Sequence, residues 1–115
     1  MIRVGDLTID TRRRMVQRGG RDIELTAKEF DFLACLARNA GRVVSRSELL
    51  AEVWDDSEPT HSNVIDVYAS RLRRKIDQGE GRALVTTLRG VGYMIDLPQD
   101  DLPAGRAPIT QTDRG

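Results

Sequence analysis

The sequence predicts an α+β domain in which three helices stand between a small N-terminal antiparallel sheet and a C-terminal β-hairpin. Three observations carry that prediction. Apolar residues alternate in short runs over the first 25 residues, the period of two expected of half-buried strands. Two pairs with capping-box spacing, Thr26/Glu29 and Ser45/Glu48, each introduce an apolar pattern of helical period. A third helical pattern over residues 65–76 is followed by a strand, a glycine-bearing turn and a second strand.

Taken in order, Ile2 and Val4 alternate before a Gly5-Asp6 turn, and Leu7 and Ile9 alternate after it. Met15 and Val16 lead into Gly19-Gly20, a pair suited to a tight hairpin because glycine tolerates positive φ, and Ile23 and Leu25 follow. This predicts a four-stranded meander. Behind Thr26, Phe30, Leu33, Ala34 and Ala37 fall on one helix face, with Phe32 and Leu36 on another, and Gly41 marks the end. Behind Ser45, a short helix is expected to turn Leu49, Leu50, Val53 and Trp54 inward. The polar stretch DDSEPTH, 55–61, reads as a loop.

The third helix is expected over about 62–77, stopped by Gly79 and Gly81. Ile65, Tyr68, Ala69, Leu72 and Ile76 form its core face, and Asn63, Val67, Ser70, Arg71 and Arg74 its opposite face. Strands over 84–87 and 93–97 enclose the turn Arg89-Gly90-Val91-Gly92. Three helices followed by a hairpin give a winged helix-turn-helix layout, here with the N-terminal sheet added. The third helix of such a layout fits a major groove about 12 Å wide, and the hairpin reaches neighbouring backbone. The domain is expected over 1–97. The stretch 98–115, with Pro103, Pro108 and no periodicity, reads as a disordered tail.

Composition narrows the function. The chain of 115 residues is 39% hydrophobic and 31% charged, an ordinary globular balance for one domain. It has no apolar run of 18 residues and no secretory h-region, and Cys35 is its only cysteine, so a disulfide framework is excluded. A cytoplasmic protein without membrane contact is the expectation. A metal or catalytic reading has little material. His61 is the only histidine, and its nearness in sequence to Ser62 and Asp66 does not make a triad. No enzymatic activity and no cofactor are expected.

The charge is neutral overall but uneven. Residues 61–97 carry six Lys/Arg against four Asp/Glu, and Arg71, Arg73, Arg74 and Lys75 fall within five positions. Phosphate attraction is screened within about 10 Å at 0.1 M salt, so this local cluster matters more than the total. It reads either as a solvated helix face or as a helix that meets phosphate. Arg71 and Asn63 have planar donors that can pair bidentately with base edges. Arg73, Arg74, Lys75, Thr87 and Arg89 are candidates for phosphate contacts, and the Tyr68 hydroxyl is another. The neutral charge leaves a second reading, a winged-helix module that binds protein and not DNA.

Four stretches, "IELTAKEFDFL", "GRVVSRSELLAEVW", "NVIDVYASRLRRKI" and "TLRGVGY", occur in this order at spacings that resemble the DNA-binding effector domain of OmpR/PhoB-type two-component response regulators. The resemblance covers residues 7–97. It implies that the third helix is a recognition helix and the hairpin a wing. It also implies that Asn63, Val64, Val67 and Arg71 face the major groove, with Asp66 on the flank, and that Arg73, Thr87 and Arg89 make backbone or wing contacts. The loop carrying Asp55, Asp56, Ser57 and Glu58 corresponds to the family's RNA polymerase contact. Implied partners are double-stranded DNA bearing direct repeats, RNA polymerase, and a receiver domain and sensor histidine kinase outside this chain. The domain is expected as a monomer alone and as a head-to-tail pair on DNA, with pairing raised by the phosphorelay. Two positions depart from the family pattern: Asn63 stands where arginine is usual, and Tyr68 where histidine is usual.

Overall fold

A computed structural model describes residues 1–54, 63–77 and 83–96. The acidic segment with Asp55, Asp56, Ser57 and Glu58, the helix-ending Gly79 and Gly81, and the tail at 98–115 lie outside the described residues. The chain opens with strands β1 (Ile2–Val4), β2 (Leu7–Asp10), β3 (Met15–Arg18) and β4 (Arg21–Ile23), antiparallel in the order β1-β2-β3-β4. Gly19 and Gly20 take φ of +57° and +82°, the left-handed values a two-residue hairpin requires. The alternation places Val4, Leu7, Ile9, Val16 and Ile23 on the buried side of this sheet.

Helix α1 (Ala27–Arg38) starts at the expected capping box, with Thr26 accepting from the Glu29 N–H at 3.2 Å and Glu29 accepting from the Thr26 N–H at 3.0 Å. It is the buried spine of the domain: Phe30, Phe32, Leu33, Ala34, Cys35, Leu36 and Ala37 are all buried, on both of the faces the sequence marked. Helix α2 (Arg46–Val53) opens the same way at Ser45 and Glu48. Leu49, Val53 and Trp54 pack inward, but Leu50 does not, with 38% of its surface exposed. Adjacent helical residues lie about 100° apart, so Leu50 falls off the stripe that Leu49 and Val53 bury.

Helix α3 (Val64–Asp77) begins when the Asn63 carbonyl accepts the Val67 N–H at 3.0 Å. Strands β6 (Val85–Leu88) and β7 (Gly92–Ile95) form the hairpin. One strand escaped the sequence reading: β5 (Val44–Ser45), two residues long, pairs with β7 and makes a three-stranded sheet of order β5-β7-β6. A two-residue strand has no alternation to detect. Gly92 permits the approach, since a Cβ there would stand 2.1 Å from the Val44 carbonyl oxygen. The pairing fixes the wing to the residue that caps α2, because Ser45 lies opposite Gly92.

Candidate nucleic-acid interface

The apolar half of α3 determines where its polar half points. Ile65, Ala69, Leu72 and Ile76 are each at most 2% exposed and join the core. At roughly 25 cal/mol per Å² of apolar surface, these four seat the helix firmly. Asn63, Val67, Ser70, Arg71 and Arg74 are all exposed on the other side. Tyr68 lies between the halves, half-buried. Val64 is also half-buried against the core, so less of it faces outward than the resemblance implies.

The basic run divides. The Arg71 guanidinium lies over the Tyr68 ring at 5.3 Å, and Tyr68 stands edge-on to Trp54 at 5.2 Å. Trp54 in turn meets Phe32 at 6.1 Å, so a line of rings runs from the core to the Arg71 guanidinium. Arg74 is exposed and has no ion-pair partner among the described residues. Arg73 turns toward the hairpin, donating to the Val85 carbonyl at 3.4 Å and to the Thr87 hydroxyl. Lys75 turns back to α1, its Nζ 2.6 Å from Glu29 Oε1. Burial raises the Glu29 pKa, but the Lys75 ammonium and the Thr26 N–H outweigh it and hold the carboxyl below its ordinary value. Thus Arg73, Lys75 and Thr87, counted with the phosphate candidates from the sequence, are engaged within the fold.

Arg89 and Gly90 form the hairpin tip, closed by the Val91 N–H on the Leu88 carbonyl at 2.9 Å. Arg89 is exposed, and Val91 beside it is 54% exposed. The tip and the outer face of α3 thus offer Asn63, Val67, Arg71, Arg74 and Arg89 to solvent.

Sequence reasoning missed the residues that hold these parts together. Arg18, 2% exposed, stands in the apolar row of the first sheet. It donates to Asp6 at 3.1 Å, to the Ile76 carbonyl at 3.0 Å and to Asp77 at 2.8 Å. The Asp77 carboxylate also accepts the N–H groups of Leu84 and Val85, at 2.9 and 3.3 Å. One carboxylate therefore ends α3 and starts β6. At the other end of α3, Asp66 accepts from Arg46 at 2.6 and 3.2 Å and from the Tyr93 hydroxyl. The Arg46 bonds, then the Tyr93 hydroxyl, hold the Asp66 carboxyl below its ordinary range. Burial first, then the Asp66 acceptor, pushes the Tyr93 phenol up to about 12, so it stays a donor. One signal for this was visible in the sequence: Arg46 opens a helix, where the macrodipole disfavours a cation unless an acid compensates it.

Cys35 is buried, and burial above all pushes its thiol pKa up, as expected of a packing residue. Among the described residues, no cluster of three or more His, Cys, Asp or Glu could hold a metal ion, and no helix is long and apolar enough to cross a membrane.

Residues 20–95 match the family described as "Transcriptional regulatory protein, C terminal". Over 95 residues the chain is 44% identical to the transcriptional regulatory protein CusR of Escherichia coli strain K12, a match covering 83% of this chain and 42% of CusR. It is 42% identical over 98 residues to the transcriptional regulatory protein TrcR of Mycobacterium tuberculosis, covering 85% of this chain and 38% of TrcR. The chain thus spans about two-fifths of the length of these curated relatives. Among solved structures, the DNA-binding domain of CpxR from E. coli superposes with a TM-score of 0.72 at 36% identity, over 84% of this chain and 95% of that one. The Klebsiella pneumoniae RstA DNA-binding domain, solved in complex with the RstA box, gives 0.72 at 33% identity, over 83% of this chain and 95% of that one.

Proposed function

The chain belongs to the C-terminal effector domains of OmpR/PhoB-type transcriptional response regulators, and from that premise we propose that it regulates transcription by binding double-stranded DNA sequence-specifically, with α3 in the major groove and the β6–β7 wing alongside. One observation carries this reading: the outer face of α3 presents Asn63, Val67, Arg71 and Arg74 to solvent while the inner face is fully engaged in the core. A helix anchored on one side and polar on the other can enter a groove without unfolding anything.

Arg71 is the leading base reader, through the acceptor pair on a guanine edge, and Asn63 the second. Val67 supplies an apolar contact of the kind a thymine methyl accepts. Arg74 and Arg89 meet phosphates and set the register. Arg73 and Thr87 act one step back, holding the wing against α3. Within a longer protein, a phosphorylated receiver domain paired with a sensor kinase would favour head-to-tail pairs on direct repeats in the cytoplasm. The acidic residues Asp55, Asp56 and Glu58 would face RNA polymerase.

The test is selection of bound duplexes from a random pool, followed by mobility shifts with the selected duplex and with random duplex. A selected half-site containing guanine, bound well below the about 10⁻⁴–10⁻⁶ M typical of non-specific binding, is the expected result. No shift with either duplex, even at low salt, would instead favour the protein-binding module that the neutral net charge allows.

A further inference from the structure

Asp66 presents an electrostatic difficulty. It is a carboxylate in the first turn of α3, its side chain 51% exposed, on the flank of the face that offers Arg71 and Val67. A negative charge there opposes phosphate, and a lone carboxylate in a major groove would accept from cytosine. The structure gives Asp66 different work. Both its oxygens are engaged by Arg46, and one also accepts the Tyr93 hydroxyl. These three residues come from three elements. Arg46 is the first residue of α2, Asp66 lies in the first turn of α3, and Tyr93 lies in β7 opposite Val44.

We propose that Asp66 is a positioning residue for DNA recognition, fixing the wing and α2 relative to the reading face of α3 and touching no base itself. This rests on the DNA-binding reading above. Two features beyond the contacts support it. Arg46 occupies a helix start where the macrodipole disfavours a cation, so its place there is held by Asp66. Tyr93 is 4% exposed and packs edge-on against Phe32 at 6.0 Å, so its hydroxyl reports the position of β7 to Asp66 with little freedom. The wing tip is four residues before Tyr93, and a small rotation of β7 moves Arg89 relative to Arg71.

The proposal gives a sign opposite to simple charge. Asp66→Asn removes a negative charge near phosphate and releases Arg46, so electrostatics alone predicts tighter binding to every duplex. Loss of positioning predicts weaker binding to the selected site alone. The experiment measures the affinities of the 115-residue chain and its variants for the duplex selected by the wild type and for random duplex, with thermal unfolding recorded for each. In Asp66→Asn the ratio of selected to random affinity should fall by roughly tenfold, the size usual for directly coupled residues. Random-duplex affinity should hold or rise. Tyr93→Phe removes only the hydroxyl and leaves the ring packing, so it tests the same link if Asp66→Asn fails to fold; its ratio should fall in the same direction. In the double variant Arg46→Gln/Asp66→Asn, the losses in ratio should be less than additive. An undiminished ratio in folded Asp66→Asn, or in Tyr93→Phe, overturns the proposal. A wild-type chain that binds neither duplex overturns the DNA-binding reading itself, a separate and recognisable failure.

Discussion

Arg71 and Arg74 are exposed on α3, and Arg73 and Lys75, from the same run of five residues, are half-buried along the two edges of its core face. The first pair has exposed guanidinium groups, one resting on a tyrosine ring and the other without an ion-pair partner among the described residues. The second pair holds the wing strand β6 and the buried cap of α1. A basic cluster is therefore not one feature. Helical rotation sorts its members, and those turned toward the body add to stability while those turned away remain available for a ligand. The members that hold the fold and those left to a ligand can therefore be damaged separately.

The largest effect belongs to the inner side. Leu72 is fully buried between Arg71 and Arg73. Leu72→Ala should cost about 2–5 kcal/mol of folding stability, by lost transfer and a residual cavity. Chemical denaturation should show the loss, and DNA affinity measured where the variant is still folded should change little.

Its outer neighbour should behave in the reverse way. Arg71→Ala should cost about 1–3 kcal/mol of binding to the selected site and relax preference at one base pair. Its folding stability should stay near wild type, because the side chain is exposed and an exposed stacking contact with the Tyr68 ring contributes little. Binding equal to wild type on the selected duplex would remove Arg71 from the reading role.

Lys75 sits between these cases. Lys75→Met should destabilise the fold by about 1.5 kcal/mol at pH 7, the lower end for a hydrogen bond to a charged group, since the lysine is partly solvated. The sign with pH follows from Glu29, whose carboxyl lies below its ordinary 4.5 in the folded chain. That stabilisation is complete above 4.5 and fades as pH falls through the lowered value. The gap between variant and wild type should therefore close in acid. A gap that stays constant down to pH 2 would separate Lys75 from Glu29.

How much of this division was legible in the sequence follows from which physics is periodic. The core face of α3, both capping boxes and the four-stranded meander are repeating or short-range patterns, and they emerged with nearly correct bounds. Leu50 was misplaced because periodicity marks a face and not how much of it a neighbour covers. Strand β5 was missed because two residues carry no period. The roles of Arg73 and Lys75 were unreadable because their partners, Val85, Thr87 and Glu29, lie 12 to 46 positions away. The Arg18–Asp77 and Arg46–Asp66 pairs were missed for the same reason, at separations of 59 and 20. What could be read was which residues faced outward on α3: Asn63, Val67, Ser70, Arg71 and Arg74 are all exposed.

The wing offers a smaller test of the same contrast. Arg89 is exposed at the β6–β7 tip, while Thr87, two residues earlier, is tied to Arg73. Arg89→Ala should weaken selected and random duplexes alike and reduce the slope of log K against log salt by about one unit. Thr87→Val should leave that slope alone. An unchanged slope in Arg89→Ala would take the wing tip off the phosphate backbone.

The smallest expected effect on binding concerns the acidic stretch with Asp55, Asp56 and Glu58, close before α3 in sequence. Three like charges beside a phosphate surface would weaken binding, so their presence in the sequence just before the proposed recognition helix needs a reason. The reading proposed above is that they face RNA polymerase. Asp55, Asp56 and Glu58 replaced together by alanine should change folding stability by no more than about 0.5 kcal/mol, as surface substitutions usually do. Operator affinity should stay level or rise slightly, since negative charge has been removed. Transcription from a responsive promoter, measured in a longer regulator carrying this domain, should fall. Footprinting and in vitro transcription on one promoter give both quantities from the same sample. Collapse of DNA binding with native circular dichroism would mean that the segment faces DNA. Wild-type values for both would make it a connector and remove the proposed polymerase contact from this stretch.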